Sequence, residues 1–198
     1  TARTDKYLMI TGAPERLPAE TEAYLRQCAE WITCQQWPKS LYRRIRQSGR
    51  WYVTPGIAPG DIIFPYIIRE NIRFIRNDRH LLTRDNFYSI TSPVPTGLLM
   101  ALINNHYVWF QLEQCGKTYG NGVLKVQKYD VDNLMVVSPE RISATDKSTL
   151  TELAGRLAST AATSLISRIT DVLSKYYAID GIKTMFENAR NKRIGSHS

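Results

Sequence analysis

Apolar residues in this chain of 198 residues change their spacing several times, and that alternation constrains the fold more than any single motif. Over residues 18–36, Leu25, Cys28, Ala29 and Ile32 fall three and four apart, predicting a helix with Pro18 at its first turn and Trp37-Pro38 at its end. Residues 39–47 add one or two helical turns, closed by Ser48-Gly49. Strand patterns follow at Trp51–Thr54, Asp61–Ile68, Asn71–Arg76 and Phe87–Ile90, with Pro65 arguing for a sheet edge or a bulge. A helix over about 98–114 is apolar on most sides, with Gly116 at its C′ position. Val123–Gln127 and Leu134–Val137 read as two more strands, and Pro139 closes the compact part. From Leu150 to Tyr176 a three/four stripe predicts one long amphipathic helix, with Thr149 and Glu152 at capping-box spacing. Asp180-Gly181 breaks it, and a short helix passes through Met185, Phe186 and Ala189. The expected fold class is α+β: an antiparallel or mixed sheet meander with packed helices, followed by a long C-terminal amphipathic helix and a short one. Two parts are expected, a compact domain over 1–142 and a helical appendage over 143–198.

The formal net charge of +8 is unevenly spread. Residues 39–90 hold ten basic and four acidic side chains, and nine of the ten are arginines. Arginine suits both phosphate forks and guanine edges, although a solvated basic face has the same composition. The candidates are Arg43, Arg44, Arg46, Arg50, Arg69, Arg73, Arg76, Arg79 and Arg84. The three cysteines, Cys28, Cys34 and Cys115, lack C-x-x-C spacing and read as buried thiols of a cytoplasmic protein. No apolar run reaches the length of a membrane span, and no signal-peptide core follows Thr1, so no membrane partner is expected. The first residue is not Met, and a piece of a longer chain is the expectation.

Catalysis within the chain is not expected. The histidines His80, His106 and His197 show no ligand spacing, so no metal site is expected, and His106 inside an apolar helix reads as a satisfied core residue. No nucleophile elbow, Walker glycines or dinucleotide fingerprint occurs, leaving no catalytic and no cofactor-binding residues to nominate. Asp130 and Asp132 around Val131 read as turn chemistry. Asp61, Glu70, Asp78 and Asp85 read as local ion partners of the arginines.

The stretch Cys115–Val126 (C-G-K-T-Y-G-N-G-V-L-K-V) is more specific. Its glycines permit close backbone approach, and Lys117 and Lys125 flank the turn beside Asn121. Trp51, Tyr52, Tyr66, Tyr88, Tyr107 and Trp109 sit where burial is the default. Tyr119 does not, and a loop aromatic between lysine and asparagine suits contact with a base or a nucleic-acid backbone. Core burial and nucleic-acid contact both stay open for it.

Two groups of residues carry a family resemblance. One is Leu41-Tyr42, Gly49-Arg50-Trp51-Tyr52, Gly60-Asp61-Ile62-Ile63, the arginine meander and Asn86-Phe87-Tyr88-Ser89-Ile90. The other is Leu98-Leu99-Met100-Ala101-Leu102-Ile103-Asn104-Asn105, Gly120-Asn121-Gly122-Val123-Leu124-Lys125-Val126 and the Leu134 to Val137 stretch. Over roughly 18–140 they resemble the C-terminal target-recognition (TaqI-like specificity) domain of bacterial N6-adenine DNA methyltransferases from restriction–modification systems. The resemblance implies a duplex-gripping role beside a separate S-adenosylmethionine-binding catalytic domain. That domain carries an (Asn/Asp/Ser)-Pro-Pro-(Tyr/Phe/Trp) tetrapeptide, whereas this chain has no Pro-Pro dipeptide. No catalytic residue therefore carries over. The implied partners are double-stranded DNA and a catalytic domain in the same parent chain or in a separate subunit. S-adenosylmethionine is expected for the parent enzyme and no cofactor for this chain. Two other readings stay open here: a non-enzymatic specificity subunit docking onto a separate methyltransferase, and a basic protein–protein interaction module.

Overall fold

The structure, a computed structural model, describes residues 17–53, 58–83, 85–160 and 162–195. Its contacts fall into two compact units, Thr1–Ala58 and Pro59–Ser198. In the first, helix α1 (Ala19–Gln35) packs against α2 (Lys39–Gln47), with Leu25 and Ile32 buried on α1. Pro38 occupies the N-cap position of α2, so the Trp37-Pro38 step ends one helix and starts the next. Trp51–Val53 forms a turn instead of the expected strand, and Thr54 lies outside the described residues.

The second unit is α+β, with two antiparallel sheets of three strands each. Strands β1 (Ile62–Pro65), β3 (Ile75–Arg76) and β4 (Phe87–Ile90) form one sheet in the order β3-β1-β4. Strands β2 (Ile67–Ile68), β5 (Lys117–Tyr119) and β6 (Val123–Lys125) form the other, ordered β2-β6-β5. Pro65 sits at the last position of a central strand, neither an edge nor a bulge. There its missing N–H ends the pairing, and the chain crosses from one sheet to the other. Tyr66 spans the crossing, donating to the Asn86 carbonyl at 3.2 Å and accepting from the Val126 amide at 2.9 Å.

The helix expected over 98–114 is two helices, α3 (Thr96–Ile103) and α4 (His106–Cys115). Asn105 makes the break. Its Oδ1 accepts from the Val108 amide at the start of α4, and its Nδ2 donates to the Ala101 and Leu102 carbonyls at the end of α3. One buried side chain thus caps both helices.

Side-chain amides also take backbone groups of two expected strands: Asn71–Arg76 pairs as a ladder only over Ile75–Arg76, and Leu134–Val137 forms none. Asn104, fully buried, accepts from the Phe74 amide at 3.0 Å and donates to the Phe74 carbonyl at 3.1 Å. Gln111 pairs with the amide and carbonyl of Met135, both at 2.9 Å, and Leu134–Val137 pairs with no strand. Asn104→Leu, which keeps the volume and removes the amide, is expected to leave the buried Phe74 groups unpaired. It should cost about 1–3 kcal/mol for each, measured by urea denaturation. A loss below about 0.5 kcal/mol would show that water replaces the amide.

Helices α5 (Lys128–Asp132), α6 (Ala144–Thr160), α7 (Thr163–Leu173) and α8 (Ile182–Gly195) complete the unit. The long apolar stripe is carried by α6 and α7 together, and α6 starts earlier than the Thr149 signal implies. Ser143 accepts from the Asp146 amide there, whereas Thr149 donates back to the Thr145 carbonyl within the helix. Leu150, Leu153, Ala154 and Leu157 of α6 belong to the same core as the buried face of α3, while α8 packs on α4. Phe64 and Phe74 stack at its centre, centroids 4.2 Å apart.

His106 is buried, as expected, with Nδ1 2.8 Å from the Thr170 hydroxyl oxygen and its ring against Trp109 and Phe186. The Thr170 hydroxyl donates to the Ile166 carbonyl, so Nδ1 of His106 is the donor in this pair. Burial, followed by the Lys183 charge, lowers its pKa from the ordinary 6.5. The folded state resists protonation, so stability should be level above about pH 6.5 and decline as pH falls below that value. Thermal unfolding at pH 7.5 and 5 should show a larger loss for the parent chain than for His106→Gln. Equal losses in the two would assign the acid sensitivity to other groups.

Candidate nucleic-acid interface

The β5–β6 hairpin holds four of the thirteen nominated residues. α4 ends at Cys115, and Gly116 follows with extended φ −67° and ψ 152°, not the left-handed conformation of a C′ glycine. Glycine is needed there for close approach: a Cβ would lie 2.6 Å from Leu124 Cδ1 and 2.9 Å from the Leu112 carbonyl oxygen. The turn Gly120–Gly122 places Asn121 at φ 60° and Gly122 at φ 65°. Asparagine and glycine are the residues that tolerate this region.

The antiparallel register sets Lys117 directly opposite Lys125, and Lys125 opposite Ile67 of β2. Leu124 and Ile68, one residue along, are buried. The other face of the sheet is therefore open, and it carries both lysines, Ile67 at 45 % exposure and Tyr119 at 50 %. The Lys125 ammonium lies 5.6 Å from the Tyr66 ring centre and 5.9 Å from that of Tyr119, within cation–π range. Two like charges directly opposite on a sheet oppose folding. An anion lying across them would remove that repulsion.

Tyr119 thus lies on a strand, with an exposed ring. Tyr66, which its position in a strand pattern assigned to the core, is half-buried beside Lys125. The signal that could have found it is the crossing forced by Pro65, which takes Tyr66 out of the first sheet and toward β6.

The arginines divide between surfaces. Arg69 is exposed and directly follows β2. Arg73 is half-buried ahead of β3. Arg76, on β3, pairs with Asp78 at 2.6 Å, which bears out the reading of Asp78 as a local ion partner. Arg79 is exposed in the following turn, and Arg84 lies outside the described residues. Arg43, Arg44, Arg46 and Arg50 belong to the first unit. There Arg43, Arg46 and Arg50 are exposed, and Arg44 donates to the Val53 carbonyl. Arg46 donates to the Tyr42 hydroxyl at 3.2 Å.

Asp130 accepts from the Gln127 amide at the start of α5, and Asp132, its last residue, pairs with Lys128, so Asp130 caps the helix and Asp132 is a surface ion partner. Cys34 and Cys115 are exposed and Cys28 is half-buried, correcting the expectation of buried thiols. Helix ends and rims, not the core, receive them. Among the described residues no cluster of metal-ligating side chains occurs, and no helix is long and apolar enough to cross a membrane.

Sequence reasoning missed Arg193 and Glu113. Arg193, 5 % exposed, meets Glu113 in a two-pronged ion pair: Nε to Oε2 at 2.7 Å and Nη2 to Oε1 at 2.8 Å. No periodicity or motif marks either residue, because the partners are 80 positions apart.

The second unit is thus an α+β fold with one open sheet face that carries Lys117, Tyr119 and Lys125. The chain belongs to the family described as the type II methyltransferase M.Eco57I C-terminal domain, which it matches over residues 2–173. No curated protein and no solved structure matches it. The match ends at the last residue of α7, so α8 lies beyond it.

Proposed function

We propose that this methyltransferase C-terminal domain is the target-recognition region of an N6-adenine DNA methyltransferase. It grips duplex DNA for a catalytic domain that binds S-adenosylmethionine, in a cytoplasmic restriction–modification system. The observation that carries the reading is the cross-strand Lys117 and Lys125 pair on an open sheet face beside Tyr119 and Tyr66. The family membership supports it, since an enzyme that modifies a base must extrude that base and needs a second body to hold the duplex.

In this reading the lysines and exposed arginines neutralise phosphates, while Tyr119 and Asn121 at the hairpin tip reach toward base edges. Arg43, Arg46 and Arg50 give the first unit its own phosphate contacts. S-adenosylmethionine makes no contact with this chain.

Fluorescence anisotropy of a labelled random-sequence duplex at two salt concentrations tests the phosphate grip. Binding should weaken steeply with salt, by a slope of about 0.9 per phosphate neutralised. Absence of binding even at low salt would end the proposal. Alanine at a phosphate anchor among the arginines should weaken binding to all sequences alike. At a base reader it should cost about 1–3 kcal/mol and relax one position of the recognised site. Adenine as the target is tested on the parent enzyme: methylation of duplex DNA should yield N6-methyladenine, and a methylated cytosine would refute it.

A further inference from the structure

We propose that Arg193, near the end of α8, is a positioning residue that fixes the orientation of the β5–β6 hairpin. Where the consequence is DNA binding, the inference rests on the function proposed above. While Glu113 of α4 takes one side of the guanidinium, Nη1 donates to the Arg69 carbonyl at 2.7 Å and also to the Gly122 carbonyl. Those two carbonyls belong to the residue that follows β2 and the residue that precedes β6. Arg190, one turn earlier on α8, adds a bond from Nε to the Glu70 carbonyl at 2.8 Å. Two of the three strands of the candidate sheet are thereby tied at one end to the same helix.

The fit is close as well as polar. Gly122, at φ 65°, lies so near α8 that a Cβ would come within 3.1 Å of Ile194 Cα and 3.2 Å of the Arg193 carbonyl oxygen. A sheet of strands two and three residues long has little cohesion of its own. Its open face therefore takes its direction from the helix that anchors it. Guanidinium geometry is what makes the anchor: a planar fork reaches a carboxylate on one edge and two carbonyls on another. A lysine ammonium carries the same charge without the fork. The positive charge of Arg193 is spent inside the protein, so its influence on a DNA ligand passes through Lys117, Tyr119 and Lys125.

The test uses the full chain, Arg193→Lys, which preserves net charge, and Gly122→Ala, which disturbs the same contact from the hairpin side. Amide hydrogen exchange of Tyr119, Gly122 and Val123 should accelerate at least about tenfold in both variants, with α6 and α7 amides unmoved. The salt slope for duplex binding should fall in Arg193→Lys although no charge is lost. Adding Lys117→Ala and Lys125→Ala to Arg193→Lys should reduce it by less than it does in the parent chain. Unchanged hairpin exchange, or acceleration spread evenly over the whole second unit, would overturn the positioning role. The parent chain failing to bind DNA would instead refute the proposed function while the exchange result still decides the role of Arg193.

Discussion

Glu113→Ala is expected to lower the unfolding free energy of the second unit by about 3–5 kcal/mol, the usual consequence of leaving a buried charge without its partner. The Glu113 side chain is 1 % exposed and that of Arg193 3 %, so water cannot take over the lost contacts without opening α8 from α4. Replacing both residues together by apolar ones of similar volume should cost much less, because the desolvation of the two charges disappears with them. The double variant also leaves the Arg69 and Gly122 carbonyls to be satisfied by solvent. Urea denaturation followed by circular dichroism measures both variants. A single-variant loss under about 1 kcal/mol would mean that the pair is hydrated in solution.

The second large effect concerns binding. Lys117→Ala with Lys125→Ala should reduce the salt slope of duplex binding by about 1.8, at about 0.9 per phosphate contact. Stability should stay level or rise, because the substitution removes two like charges placed directly opposite each other. That opposition of binding and stability separates a ligand surface from a structural one. Equal affinity at every salt concentration would reduce the lysines to solubilising residues on the open face of a small sheet.

Asp146 supplies a stability contribution that, like that of His106, is lost on acidification, but in a lower pH window. Bonds from Lys175, Tyr176 and Ser143 hold its carboxyl down to about 2 from the ordinary 3.8. Its depressed pKa means that the contribution is intact above about pH 4 and is lost as pH falls toward 2. Asp146→Asn should therefore lower the melting temperature at pH 6 and bring little further change at pH 2. An equal loss at both values would place the effect in helix capping alone.

Periodicity was enough for the α+β class, for helices over 19–35 and 39–47, and for the helical character of 150–173. These depend on local spacing and on proline and glycine, all of which act over a few residues. The glycine turn and the strand after it were legible too, since Gly120-Asn121-Gly122 carries its own turn chemistry, whereas Lys117–Tyr119 read as loop and is a strand. The hairpin's lysines could be named from the sequence, but their position directly across from each other comes from strand register, which periodicity does not specify.

Other features required the tertiary structure. Asn104 and Gln111 satisfy backbone groups that a strand would otherwise pair, and Asn105 splits an apolar run into two helices. An asparagine or glutamine looks the same in sequence whether it is solvated or bonded to distant backbone. The same holds for Glu113 and Arg193, whose pairing exists only once α8 has packed on α4. The sequence by itself determined the kinds of element and the chemistry available at the hairpin. Tertiary structure alone decided which face that chemistry occupies, because direction is set by contacts between residues far apart in the chain.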